Sequence, residues 1–556
     1  MDLQTLFRDG LHRRDVVAIL ILAVLPWLFF RPLPSAGWWT GDDTAILYSI
    51  IRYGALKAFY DPYVWHHLSI TNYTPMVNLS YKLDYMLFGM NPKWFYVHQL
   101  LIASVVLVLL YVLLRIYTGF FASFGASLLF LTSLPFSVPV LFIWCRHYLE
   151  GMIFIILSFI VLEMSCRKGS FTLCFLSAVA YLIAALYKEI FVPLVAVHLV
   201  AILSYKSLRK KGIFAFPFIL AALLYSALRV YMLGSGMLSG AAITLESLKS
   251  LEHGIYNLAF KPTFPMILLV MLAPLARARF PVFSNRPLLT LLVALLLSCL
   301  VMLPVAGYLR SPLMASLRVS LAVALCVFIL EAAAVEYVIK GVGNKLLTVP
   351  AFVALLASAL MNTHQMRSAF PVALRLYKHN KKVVDLISSP SGPSCVVVLP
   401  LERGYFYRFA YFLLNHKTPK ILGVCYYPCV CLKALKEAGI HKGLCVVTPT
   451  GVEPYTPSCR GYRNAPLSVS VSYGDHIIRW SFGPYEGMYK VYLSDDGVLP
   501  TSYYIVSKLG RTHITESYED KLVFWVAYTS PEGWTTVSPK LTLRTDKEGD
   551  QVVWHR

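Results

Sequence analysis

Two carboxylates stand side by side at Asp42 and Asp43, in the stretch Trp38-Trp39-Thr40-Gly41-Asp42-Asp43, shortly after the first long apolar run, Val16–Phe30. Acidic groups beside a membrane-embedded segment are costly and usually mark a site. Carboxylates about 5 Å apart repel by ~3 kcal/mol at an effective dielectric near 20, which lifts one of the two above its ordinary range. A base that takes a proton from a hydroxyl near neutral pH gains from that rise. We expect Asp42 to be the general base and Asp43 to orient the incoming group or modulate its neighbour, with the two roles exchangeable at this stage. No cofactor is called for, although the pair leaves room for a divalent metal. The competing structural reading is a helix N-cap at Asp43, ahead of Thr44-Ala45-Ile46-Leu47.

The elements that must position this pair are set by composition. Of 556 residues, 57% are hydrophobic and 14% charged, and the mean hydropathy is +0.62. A soluble chain would carry roughly a quarter charged residues, so this is an integral membrane protein. Its net charge of +21 gathers at the ends of apolar runs, which suits topology and anionic headgroups rather than nucleic acid. Runs long enough to cross a bilayer (~20 residues) fall near 15–31, 93–116, 119–135, 149–165, 171–187, 190–205, 213–233, 263–277, 287–307, 313–335 and 346–362. That makes about 11 transmembrane helices in a mainly α-helical polytopic protein. Every second connection holds a basic residue, among them Arg13, Arg14, Arg115, Arg167, Lys168, Lys210 and Lys340, which puts the N-terminus in the cytoplasm and the tail outside. The first outer loop, 32–92, is far longer than an ordinary connection. Periodic pieces near Thr44–Phe59 and Pro75–Phe88 suggest short surface helices within it.

An ordered set of short motifs carries a resemblance. The acidic pair after the first span looks like the paired acidic motif in the first outer loop of GT-C glycosyltransferases. Tyr73-Thr74-Pro75-Met76-Val77-Asn78-Leu79 through Leu87-Phe88-Gly89-Met90-Asn91-Pro92 resembles a segment of the protein O-mannosyltransferase-like, TPR-containing branch. Trp144-Cys145-Arg146 and Lys188-Glu189 are similar to two later positions of that branch. The resemblance spans roughly residues 35–205. It implies a polyprenyl-phosphate-sugar donor, a protein, lipid or glycan acceptor, and inverting transfer on the outer side of a plasma, inner or ER-type membrane. A polyprenyl phosphate leaves readily if positive charge meets it. The candidates for donor and lipid-phosphate binding are Arg146, Lys188, Glu189, Arg229, Arg310 and Arg318, with Trp39, Tyr73, Pro75 and His147 on the acceptor side. Glu150 could instead pair with Arg146 one helical turn earlier.

The first domain, 1–364, would hold the spans. From 365 the composition becomes that of a soluble domain. Strand-like runs at Cys395–Leu399 and Leu444–Thr448 alternate with helical stretches near 373–388, 404–415 and 431–439, suggesting an extracytoplasmic α/β region over 365–465. Period-two patterns at 467–472, 488–493, 503–506, 522–526 and 540–543 suggest a β-rich, sandwich-like region over 466–556. The tail carries 23 Lys and Arg against 15 Asp and Glu, suited to anionic headgroups or an acidic acceptor. Six cysteines lie there (Cys395, Cys425, Cys429, Cys431, Cys445 and Cys459), an even set compatible with disulfides. No His stands at a zinc spacing beside them. A transporter would more often show repeated halves; that class, and a membrane-anchored cell-surface assembly protein, are the alternatives.

Overall fold

The computed structural model describes residues 13–66, 68–69, 72–205, 211–234 and 345–388, isolated positions at 249, 321, 324 and 327, and residues 395–553 with gaps. The described α-helices of eight or more residues are α1 (Arg13–Phe29), α2 (Asp43–Arg52), α3 (Met76–Phe88), α4 (Pro92–Tyr117), α5 (Phe120–Thr132), α6 (Leu134–Leu141), α7 (Arg146–Lys168), α8 (Phe171–Tyr187), α9 (Val195–Ser204), α10 (Lys211–Leu233) and α11 (Lys345–Ser388). Among the described residues four helical stretches are long and apolar enough to cross a membrane: Arg13–Ala36, Pro92–Tyr117, Ile143–Lys168 and Gly212–Leu233. The α5–α6 pair, bent by 54°, would make a fifth. Phe171–Tyr187 and Glu189–Leu203 are shorter apolar helices. The expected spans at 263–277 and 287–307, and all of 313–335 except three isolated positions, lie outside the described residues. The chain divides into two units, Met1–Gly37 with Thr71–Arg375, and Trp38–Ile70 with Leu376–Arg556.

The helical unit is built around α4, whose Tyr96, Leu100, Leu107, Leu110 and Tyr111 are wholly buried. Helix α1 runs antiparallel to it, because Ser104 donates to the Ala23 carbonyl at 2.7 Å and Arg115 donates to Asp15 at 2.8 Å. Helix α1 itself exposes Val17, Leu20, Val24 and Leu28, as a lipid-facing helix does. Between helices in lipid there is no hydrophobic driving force, so close packing and polar clasps hold the bundle. One clasp joins three helices. The Ser158 hydroxyl of α7 meets His198 Nε2 of α9 at 2.8 Å, and Ser177 of α8 donates to the Ser158 carbonyl at 2.6 Å. Close approach of α7 to the chain after α8 depends on Gly151, since a Cβ there would lie 2.4 Å from the Phe191 ring.

The second unit holds α2 and three sheets. A four-stranded sheet has the order β2-β1-β3-β4, from Val396–Leu399 (β1), Leu422–Val424 (β2), Leu444–Thr448 (β3) and Gly451–Tyr455 (β4); β1 pairs in parallel with both β2 and β3, and β3 pairs antiparallel with β4. Cys395 and Cys445 form a disulfide beside this parallel register. The remaining strands are β5 (Ser468–Gly474), β6 (Ile477–Gly483), β7 (Met488–Ser494), β8 (Ser502–Ser507), β9 (Leu509–His513), β10 (Lys521–Thr529), β11 (Thr535–Val537), β12 (Leu541–Arg544) and β13 (Val552–Val553). They form a three-stranded sheet, β5-β6-β9, and a six-stranded antiparallel sheet, β13-β12-β10-β7-β8 with β11 on β10. Phe482, Tyr489, Phe524, Val526, Tyr528 and Leu541 make a core against these strands. The alternating apolar residues of β7 and β10 supply it, as period-two patterning requires.

Candidate functional site

The acidic pair lies on a tight turn that leads into α2. Gly41 has φ of 52°, a left-handed conformation that glycine adopts without steric cost. It turns the chain so that Asp42 is exposed and Asp43 is wholly buried. Asp42 occupies the N-cap position but makes no side-chain cap hydrogen bond. Asp43, the first helical residue, instead accepts through Oδ2 from the Thr40 backbone N–H at 2.7 Å. Two adjacent carboxylates are thereby given different surroundings. One holds the turn closed and the other faces solvent.

The turn is itself held within its unit. The Thr44 hydroxyl donates to the Phe406 carbonyl at 3.2 Å, and the Asn380 side-chain amide donates to the Trp39 carbonyl at 3.3 Å. Tyr407 then donates to Asn380 at 3.1 Å, and Tyr48 packs its ring 4.8 Å from Phe409. Trp39 is buried at 3% exposure, and the Lys381 ammonium sits 5.6 Å from the centre of the Trp38 ring. Among the described residues no three His, Cys, Asp or Glu side chains are grouped so as to hold a metal ion.

The helical unit contains a separate buried ionic cluster. Arg146 is wholly buried at the start of α7. Its guanidinium donates to Asp84, to Gln99 Oε1 at 3.1 Å, to Ser80 Oγ at 3.3 Å and to the Phe95 carbonyl at 2.9 Å. It also lies over the Tyr81 and Phe95 rings, 5.2 Å and 5.5 Å from their centres. The second Asp84 oxygen meets His98 Nδ1 at 2.7 Å. Ser80 donates in turn to Glu150, so Glu150 and Arg146 meet at one hydroxyl as well as through their charges. The other Glu150 oxygen and both polar atoms of the Asn78 amide are buried with no hydrogen-bond partner among the described residues.

Lys188 and Glu189 lie where α8 stops and a short 3-10 turn begins, and they pair at 3.0 Å. The Lys188 ammonium also sits 5.5 Å from the centre of the Tyr148 ring. His147 is half-buried with its ring against Tyr148. Tyr73 is wholly buried, its carbonyl accepts from Tyr225, and burial pushes its phenol up to about 12, so it stays protonated. Pro75 is the N-cap residue of α3. Arg229 is half-buried on α10, and its charge and that of Glu189 both act at Tyr225. Arg310 and Arg318 lie outside the described residues. Sequence reasoning missed Asp84, Ser80, Gln99 and His98. The signal for Ser80 and Asp84 was their i, i+4 spacing on one face of a short helix; His98 and Gln99, on the next helix, carried none.

The described chain is thus a polytopic, mostly helical membrane protein with a small β-rich region. No protein-family model matches it, and no curated protein does. Among solved structures it is similar to the arabinofuranosyltransferase AftD from mycobacteria, a single-particle cryo-EM structure, with 16% sequence identity and a TM-score of 0.46. The alignment covers 92% of this chain and 40% of that one, so this chain spans well under half of that structure's length.

Proposed function

We propose that the chain is a GT-C-type glycosyltransferase that moves a sugar from a polyprenyl-phosphate donor to a protein, lipid or glycan acceptor on the outer side of the membrane. The observation that carries this reading is the Gly41 turn, which exposes Asp42 and commits Asp43 to the Thr40 amide. A general base has to be within reach of the proton it takes, and Asp42 is exposed on a turn whose backbone the Asp43–Thr40 bond holds. The ordered resemblance over residues 35–205 supports the same chemistry.

In this mechanism the Asp42 carboxylate takes the proton of the acceptor hydroxyl. The oxygen attacks the anomeric carbon from the face opposite the phosphate, and the bond from that carbon to the phosphate oxygen breaks with its electron pair leaving on the phosphate. The anomeric configuration inverts. A cation must stabilise the departing charge. The candidates for that role are the cations named from the sequence, Arg146, Lys188, Arg229, Arg310 and Arg318.

The test uses the full chain in proteoliposomes with a panel of polyprenyl-phosphate hexose and pentose donors, reading release of polyprenyl phosphate and sugar transferred to added acceptors. Asp42→Asn should lower turnover by about 10²–10⁴-fold, the usual contribution of a general base, while the protein folds and inserts normally. Transfer at the wild-type rate in both Asp42→Asn and Asp43→Asn would remove the proposed chemistry.

A further inference from the structure

From Leu376 onward, helix α11 belongs to the same unit as the Trp38–Asp43 turn. Its covered side is mostly apolar, with Tyr377, Val383 and Val384 wholly buried. Asn380 is the exception on that side, 3% exposed. Its amide accepts from the Tyr407 hydroxyl at 3.1 Å and donates to the Trp39 carbonyl at 3.3 Å. A buried amide bonded at both ends fixes the rotation of the helix against the turn. With that rotation, Lys378, Lys381 and Lys382 are exposed, at the i, i+3, i+4 spacing of one helical stripe.

The stripe meets the turn at Trp38. The Lys381 ammonium lies 5.6 Å from the centre of the half-buried indole ring, near enough for the negative face of the ring to hold it. Asp42 is three residues beyond Trp39, which bounds their backbone separation at ~11 Å. Exposed carboxylate and exposed ammonium groups therefore lie within reach of one short ligand. Among the described residues neither Lys378 nor Lys381 pairs with a carboxylate, and that includes Asp385, one turn further on. Like charges one turn apart repel, so the stripe gains from an anion that joins it.

Net charge alone treats anionic headgroups and an acidic acceptor as equals, but the placement separates them. A membrane surface would press its phosphates against Asp42 as well as against the lysines, and like charges repel there. A discrete acceptor sets its hydroxyl at Asp42 and its anion at the lysines, so both ends are met. Between them Trp38 offers a flat apolar ring with a polar edge, which suits the C–H face of a sugar.

We infer that Trp38, Lys378 and Lys381 form an acceptor subsite for an anionic saccharide, one with a carboxylate or phosphate close to the hydroxyl that Asp42 deprotonates. The fate of that hydroxyl rests on the transferase reading; the binding needs only the geometry of one unit.

The test holds the full chain in phosphatidylcholine nanodiscs and titrates it with a hyaluronan hexasaccharide, a mannose phosphate and neutral maltohexaose. Calorimetry should show an anionic probe bound ~10-fold or more tighter than maltohexaose. Lys378→Gln/Lys381→Gln and Trp38→Leu should each weaken that binding by ~10-fold or more, the size of one lost bond to a charged partner. Lys442→Gln, at an exposed lysine elsewhere in the tail, should bind like the parent. Equal binding of maltohexaose, no binding of either anionic probe, or parent-like binding in the double variant overturns the subsite. Displacement of the probe by phosphatidylglycerol vesicles gives the lysines to headgroups and overturns it too. Parent-like binding in Trp38→Leu alone removes the stacking part. The two readings fail separately. Lysine-dependent binding with no sugar transfer from any donor removes the transferase and leaves an anionic-saccharide site, whereas transfer with lysine-independent binding removes the subsite alone.

Discussion

Replacing Asp43 should separate the two carboxylates by what each one holds. Thr40 and Asp43 are both buried, at 1% and 0% exposure, and the bond between the Thr40 N–H and the Asp43 carboxylate is 2.7 Å long. A hydrogen bond to an ionised acceptor contributes about 1.5–3 kcal/mol, and a buried donor left without a partner costs about 1–3 kcal/mol. These are two views of one loss, so Asp43→Ala should destabilise the protein by about 2–3 kcal/mol. Asp43→Asn keeps an oxygen opposite Thr40 and should cost about 1 kcal/mol, the difference between a charged and a neutral bond. Asp42 is exposed and makes no cap bond, so Asp42→Asn should stay within about 0.5 kcal/mol of the parent, as surface substitutions do. Chemical unfolding in mixed micelles, followed by the fluorescence of the tryptophans that flank the turn, gives the three values. The reasoning is refuted if Asp42→Asn is as destabilising as Asp43→Ala, or if Asp43→Ala unfolds like the parent.

Three further outcomes are expected. Asp84→Leu leaves the Arg146 guanidinium buried without its carboxylate and should cost about 3–5 kcal/mol. Arg146→Met should cost less, because His98 still faces Asp84 at 2.7 Å, and the double variant should recover most of the loss; a double-mutant cycle read by thermal melting checks this. Gly151→Ala should cost about 1–3 kcal/mol through overpacking, since the wholly buried Phe191 ring lies 2.4 Å from the added methyl. A melting curve with Phe191→Leu as a second change should show the loss partly relieved. Replacing Cys395 and Cys445 by alanine opens a cross-link of sequence separation 50, and loop-closure entropy then predicts a loss of about 4 kcal/mol, measurable by urea unfolding followed through the β-rich region.

Much of the scaffold is legible because a bilayer imposes its length on any helix that crosses it. The runs at 93–116 and 213–233 coincide with α4 and α10 to within two residues at each end. The strand at Leu444–Thr448 is matched residue for residue, and the period-two runs at 488–493 and 503–506 each fall within one residue of β7 and β8. Alternation reports which residues share a face and is silent about which strand lies alongside. The central place of β10, between β7 and β12, was therefore beyond it. The stretch at 373–388 read as a separate helix, but it is the end of one helix that begins at Lys345.

The candidate site was readable as composition and unreadable as partnership. Adjacent carboxylates at 42 and 43 are visible to any reader, yet their unequal burial comes from the positive φ of Gly41. Arg146 was legible as a cation, but its carboxylate partner, Asp84, lies 62 residues earlier on another helix. Nothing local in a sequence marks such a pairing, because periodicity gives the angle between two faces and not the partner each one meets. The Cys395–Cys445 bond was likewise one of several pairings that six cysteines allow.

The clamps at the two ends of α4 also bear on how the chain is made. Asp15 and Arg115 can meet as soon as α4 has left the ribosome, because both lie within the first two spans. Asp84 cannot meet its cation so early: Arg146 is synthesised 62 residues later, a delay of about 3–12 s at roughly 5–20 residues per second. Over that interval a carboxylate on α3 would have to enter hydrocarbon alone, at a cost of several kcal/mol. Synthesis should therefore hold α3 among the headgroups until α7 arrives and draws Asp84 inward. A nascent chain stopped just before residue 146 should leave a cysteine placed at Ser80, one turn before Asp84 and buried in the finished fold, open to a water-soluble thiol reagent, and one extended through Lys168 should shield it.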